Sequence, residues 1–242
     1  MLKTLIVITL ISVVCSAASG SSLSDAQMDY LFGNYEEAIQ KAESVKATDE
    51  SLYFLGLTYI KTGEYQQGRD YLQKLCQNYP NSRLCSQATL KIADSYFLEK
   101  DYEHALYYYH QLQQNYPFFE SMPTVWLRLA QIAGRNGQWD DKNKYIKIIK
   151  EKFSQSNEVK YVSMLEEYGD FFTVQVGAFS DEKNAVALYN ELSQKYKPYL
   201  VENRDEGVAL YKVRVGRYKQ RYDVEKIAQE LLDEGYPAKI YP

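Results

Sequence analysis

Histidine is nearly missing from this chain of 242 residues: His104 and His110 are the only two. They stand six apart, a spacing that does not stack them on one helical face. There is no HExxH pair, no His-Cys ligand set, no GxSxG elbow and no phosphate-cradling glycine loop. Zinc-hydrolytic, acyl-transfer and nucleotide chemistries therefore lack their usual residues, and the chain reads as non-catalytic, with no cofactor and no metal. A large excess of one charge sign is also lacking, with 28 Lys and Arg against 32 Asp and Glu. A formal net charge of −4 gives no general pull toward nucleic acid or anionic lipid. The apolar run from Thr4 to Val14 spans 11 residues, too few for a bilayer span of about 20.

That run follows Lys3 and precedes the small residues "CSAASG". We read residues 1–20 as a bacterial-type secretory signal, cut after Ala18 or Gly20, which would deliver the mature chain to the periplasm or cell envelope. Cys15 raises the alternative of lipidation and hence membrane association. Val14 and Ser12 stand where a lipobox has a small residue and leucine, so a soluble exported product is the preferred reading. With Cys15 removed, Cys76 and Cys85 remain. They are a disulfide candidate in an oxidising compartment, and two separately buried thiols are the alternative.

Aromatics make up 14% of the chain, with 24 tyrosines against 2 tryptophans, and this composition argues against disorder. An internal period accounts for much of it. Gly56, Ala93 and Ala130 fall 37 residues apart; Tyr65, Tyr102 and Trp139 keep the same spacing, as do Pro80, Pro117 and Ser154. "GNYEEAI" (Gly33, Tyr35, Ala38) precedes "GEYQQGR" by 30 residues. A small residue lets two helices approach, an aromatic fills the turn between them, and a proline follows the second helix. Such hairpins bury their apolar faces only against neighbours and so stack.

These residues resemble the tetratricopeptide repeat (TPR) family over about 22–154, in the lengthened form found in outer-membrane assembly lipoproteins and Tol-Pal-associated coordinators. The resemblance implies an all-α TPR solenoid with a concave surface for a partner protein. Lys142 departs from the pattern, standing where the other units have Ala38, Gly68 and Ala105, and is expected on a solvent-facing last helix. The tyrosines of 107–109 read mainly as packing residues. Residues 155–169 are expected to form a linker or capping helix through Val159, Val162 and Leu165, coupling two domains that can still swivel.

From Asp170 the apolar period changes from 3.6 to 2. Strands are expected at 171–179, 199–202, 208–218 and 236–241. One helix carries Ala185, Leu188, Tyr189, Leu192 and Tyr196, and a second carries Val224, Ile227, Ala228, Leu231 and Leu232. The order βαββαβ over 170–242 predicts an α+β, RNP-like domain with two helices on one face of a sheet. If Val174, Val176, Tyr211, Val213 and Val215 face the helices, then Thr173, Gln175, Leu210, Lys212 and Arg214 face out.

"VQVGAF" and "YKVRVGRY", each running into a helix, resemble the SPOR (sporulation-related repeat) domain. The resemblance covers 171–242 and implies binding of septal peptidoglycan, preferentially glycan strands stripped of stem peptides, through the open sheet face. It carries Gln175 and Lys212 to family positions. Ala178 stands where some members have a hydroxyl, and Leu210 where some present an aromatic. The candidate glycan-binding residues are thus Gln175, Ala178, Leu210, Lys212 and Arg214. RNA-recognition domains share the strand order, but the Gly-Phe-Gly-Phe pattern of their central strand is absent. An envelope adaptor, recruiting an unidentified protein partner through its repeats, is the leading expectation. A scaffold of the outer-membrane assembly or Tol-Pal kind, with the second domain only a secondary tether, is the alternative.

Overall fold

The structure, a computed structural model, describes residues 22–167, 169–205 and 208–242. The expected signal and Cys15 lie outside them. Contacts divide the chain into two compact units at Ser95/Tyr96.

The first unit is built of helical hairpins: α1 (Leu23–Leu31) with α2 (Tyr35–Ser44), then α3 (Asp49–Thr62) with α4 (Tyr65–Asn78), and most of α5 (Leu84–Leu98). The small residues act as their spacing predicts. A Cβ on Gly68 would lie 2.8 Å from the Gly56 carbonyl oxygen, so α3 and α4 cross with backbones nearly touching. Ala26, Ile39, Ala42 and Leu55 form one buried cluster. Cys76 and Cys85 are thiols here, the Cys76 Sγ donating to the Cys85 carbonyl at 3.7 Å.

The second unit runs from the end of α5 through α6 (Tyr102–Asn115), α7 (Met122–Arg135), α8 (Trp139–Lys152) and α9 (Val159–Glu167) into the sheet domain. Tyr65, Tyr102 and Trp139 are the first residues of α4, α6 and α8. Two residues before each of them the chain must enter the left-handed region, at Gly63 (φ 90), Lys100 (φ 65) and Gly137 (φ 73). Tyr109 is fully buried, while Tyr107 is 58% exposed. Helix α9 closes the last hairpin, with Val162 buried among Leu127, Ala130, Ile146 and Ile149.

The sheet domain contains β1 (Phe172–Phe179), α10 (Glu182–Leu192), β2 (Pro198–Asp205), β3 (Val208–Tyr218), α11 (Arg221–Asp233) and β4 (Lys239–Tyr241). Spatial order is β2-β3-β1-β4, and every pairing is antiparallel. Val174, Val176, Val213 and Val215 pack against Ala185, Leu192, Val224, Ala228 and Leu231. The fold is thus helical-hairpin repeats followed by an α+β domain of βαββαβ order. Asp181 caps α10 by accepting from the Lys183 N–H.

Lys142 corrects one expectation. It is buried at 3% exposure rather than solvent-facing. Its ammonium donates to the Gly169 carbonyl at 2.7 Å and lies 2.6 Å from Asp170. The space comes from an exchange of sizes across the hairpin. Ile60 and Phe97 occupy the position 37 residues apart that becomes Gly134 in the last unit, and a Cβ on Gly134 would sit 3.3 Å from the Lys142 stem. Trp139 adds an edge contact to Phe172 at 4.9 Å and an indole N–H bond to the Lys219 carbonyl. Arg221 donates to the Arg135 carbonyl. The last hairpin and the sheet domain are joined by buried contacts, where a swivel was expected.

Candidate functional site: one face of the sheet

The face of the sheet away from α10 and α11 is assembled in cross-strand rows. Pairing places Tyr199, Arg214, Gln175 and Lys239 side by side across all four strands. The next row holds Val201, Lys212 and Ala178, and Asn203 pairs with Leu210 beyond it. Gln175, Ala178, Leu210, Lys212 and Arg214 therefore share one surface.

Strict alternation would send Ala178, three residues after Gln175, to the helix side. A β-bulge between Gln175 and Gly177 resets the phase. Gly177 permits it, because a Cβ there would meet the Phe179 ring at 2.6 Å and Leu188 at 2.9 Å. The matched glycine, Gly216, takes φ 67 at the second register shift. A Cβ there would fall 2.2 Å from the Tyr218 ring. The repeated Val-x-Val-Gly thus marks two strands that each break phase at the glycine.

Exposure across this face differs from the expectation. Arg214 is 5% exposed and Thr173 1%, so neither is an open surface residue. The Arg214 guanidinium lies 5.2 Å from the Tyr241 ring centre, and Lys239 approaches the same ring at 5.1 Å. Thr173 donates to the Val215 carbonyl and accepts from the Tyr199 hydroxyl at 3.0 Å. Arg217 stacks on Tyr199 at 4.8 Å and Phe171 at 5.0 Å. Lys212 is half-buried, while Ala178 and Leu210 are exposed.

Two amide oxygens on this face, Gln175 Oε1 and Asn203 Oδ1, are buried without a hydrogen-bond partner. Buried acceptors are ordinarily paired, so a ligand bringing hydroxyl or amide donors would complete them. Beside Asn203 a cavity of about 190 Å³ is lined by Phe171, Tyr199, Arg214 and Arg217. The surface thus offers acceptors, guanidinium donors and aromatic rings together, the means by which proteins hold sugars: hydrogen bonds to hydroxyls and apolar ring contact.

Sequence reasoning placed Gln175, Lys212 and Arg214 here and missed Phe171, Tyr199, Asn203, Arg217 and Tyr241. Alternation along β2 and β4 would have put Tyr199 and Tyr241 on this face had the register with β3 and β1 been known. Among the described residues no group of His, Cys, Asp and Glu is placed to hold a metal, and no helix is long and apolar enough to cross a membrane.

This architecture has two parts, helical repeats followed by an RNP-like sheet domain. Residues 168–241 match the SPOR domain family model, and residues 45–127 match that of the outer membrane lipoprotein YfiO; the chain carries a SPOR domain behind TPR-like repeats. No curated protein matches it. Among solved structures, MamA from Desulfovibrio magneticus RS-1 is 16% identical with a TM-score of 0.49, over 71% of this chain and 90% of that one. The Pseudomonas aeruginosa pilF protein is 19% identical with a TM-score of 0.46, over 61% of this chain and 68% of that one. The peptidoglycan binding domain of the Bacillus subtilis cell wall lytic enzyme CwlC is 25% identical with a TM-score of 0.25, over 29% of this chain and 86% of that one.

Proposed function

We propose that this protein is a non-catalytic cell-envelope adaptor, exported to the periplasm, that holds denuded, septal glycan strands of peptidoglycan on its sheet face. Its repeats recruit a protein partner. The observation that carries the reading is the SPOR match on a domain whose sheet face presents two unpaired buried amide oxygens beside stacked arginine and tyrosine. Gln175 and Asn203 accept from sugar hydroxyl or acetamide donors, Lys212 and Arg217 donate, and Tyr199 offers a ring face. Arg214, being buried, positions Tyr241 and the neighbouring strands. Leu210 and Ala178 contribute surface without polar contact. The match of 45–127 to an outer membrane lipoprotein family favours a second reading, an outer-membrane assembly or Tol-Pal-type scaffold in which the SPOR domain is a tether.

The test is pelleting of residues 22–242 with purified sacculi, untreated or stripped of stem peptides by an amidase. Enriched binding to stripped sacculi, weakened about tenfold by Gln175→Ala/Lys212→Ala, is the expected result; two lost hydrogen bonds of about 0.5–1.5 kcal/mol each amount to that. Equal pelleting of both sacculi would remove the preference for denuded strands. Absence of pelleting would leave the scaffold reading.

A further inference from the structure

The cavity of about 190 Å³ on the sheet face differs from the rest of that surface in the groups it gathers. Phe171, Tyr199, Asn203, Arg214 and Arg217 line it, and no acidic side chain among the described residues does. Arg217 is exposed, and its guanidinium lies over the Tyr199 ring at 4.8 Å and the Phe171 ring at 5.0 Å. No carboxylate among the described residues pairs with it. The Tyr199 ring is fixed in turn, its hydroxyl donating to Thr173 at 3.0 Å.

A guanidinium that stacks on rings uses its flat face, which leaves the N–H donors in its plane available to a planar acceptor. A carboxylate fits that edge bidentately. Asn203 sets a second requirement. Its Oδ1 is buried without a hydrogen-bond partner and calls for an N–H or O–H donor. A ligand that meets both carries a carboxylate and a neutral donor close together, since one small cavity holds the two. An N-acetylated sugar acid has that pair: in N-acetylmuramic acid the acetamide N–H and the lactyl ether stand on neighbouring ring carbons. N-acetylglucosamine, which alternates with it in the glycan strand, has the acetamide and no carboxylate. A stem peptide turns the lactyl carboxylate into a neutral amide, and an amidase restores the carboxylate.

We propose that this cavity is a subsite for the free lactyl carboxylate of N-acetylmuramic acid, paired with the Arg217 fork while Asn203 Oδ1 accepts the acetamide N–H. The proposal rests on the reading of the sheet face as a glycan-binding surface, and it gives the preference for stripped strands a basis in charge. The strand is recognised by a group it gains on losing its peptide. Gln175 and Lys212 hold adjoining sugars whether or not that group is present.

The test uses residues 22–242 and a peptide-free tetrasaccharide of alternating N-acetylglucosamine and N-acetylmuramic acid, followed by isothermal titration calorimetry. The same tetrasaccharide with its lactyl carboxylates converted to methylamides is the comparison. The carboxylate form should bind about tenfold more tightly or better, the worth of a charge-assisted pair. Arg217→Met keeps an apolar stem over the rings. It should bring the carboxylate form down to the affinity of the methylamide and leave the methylamide nearly unchanged. Lys226→Gln removes one positive charge from the exposed side of α11 and should alter neither. Asn203→Ala should weaken both forms by a like factor, because both carry the acetamide. Equal affinity of the unaltered chain for the two forms, or an equal loss of both on Arg217→Met, would overturn the proposal. Failure of both tetrasaccharides to bind would overturn it as well. Pelleting of stripped sacculi by the same chain would then leave the glycan reading standing, whereas loss of pelleting would remove both.

Discussion

Lys100 is the one non-glycine residue with a positive φ among the described residues. It occupies a turn position that the repeats before and after fill with Gly63 and Gly137. A side chain in the left-handed region costs about 1–2 kcal/mol, partly offset by the greater unfolded freedom of glycine. Lys100→Gly should therefore stabilise the protein by about 0.5–1 kcal/mol, seen as a raised thermal midpoint. Gly216→Ala should act in the opposite sense, because φ 67 and the Tyr218 ring both exclude a Cβ. We expect a loss of about 1–3 kcal/mol in the same melt. Cys76 gives a third test. Burial, with the Cys85 thiol beside it, pushes its pKa up to about 12. Its thiolate is then scarce at pH 8, and alkylation of the reduced native protein should run roughly a thousandfold slower than after denaturation. Intact mass under non-reducing conditions separates this thiol from a Cys76–Cys85 bridge, which would be two hydrogens lighter. Equal alkylation rates would show that the site is not buried.

At the scale of elements, the junction between α8 and β1 includes a charged contact, Lys142 with Asp170, beside the packing of Trp139 on Phe172. Burial would raise the Asp170 pKa, but hydrogen bonds from Lys142 and Asn143, with the charges of Lys142 and Lys219, outweigh it and hold the carboxyl below its ordinary value of 3.8. A depressed folded pKa means stability that is fully present above the unfolded value and lost as pH falls through the folded one. Protection of the β1 amides from hydrogen exchange should therefore be flat from pH 7 to about 5 and fall below about pH 4. Lys142→Met should remove that acid limb and cost about 1–2 kcal/mol, less than a fully buried pair because Asp170 keeps part of its solvent contact. An unchanged acid limb in this variant would show that another carboxylate controls it. The helices, their 37-residue phase and the four strands were legible in the sequence, because periodicity and the small-residue positions report burial directly. The bulge at Gly177 was legible only in outline: a repeated glycine can be seen, but not which face Ala178 then joins.

For the whole molecule, the division of contacts falls at Ser95/Tyr96, inside α5, rather than at the change of apolar period near Asp170. The last repeats and the sheet domain share one compact unit, sealed by Trp139 on Phe172 and by Lys142. Phe172 is fully buried, and Trp139 packs against the sheet core from outside that domain. Tests of glycan binding therefore belong on the chain from residue 22 onward, with this seam intact. The sequence by itself determined the two domain types, the hairpin repeat, the strand order and the polar character of Gln175, Lys212 and Arg214, since each depends on local spacing and residue chemistry. Only the tertiary structure decided that Arg214 is covered, that Tyr199, Phe171 and Arg217 complete the face, and that Lys142 is a buried anchor. Those outcomes depend on strand register and on which helix meets which sheet edge, contacts between residues far apart in the chain that no local period encodes.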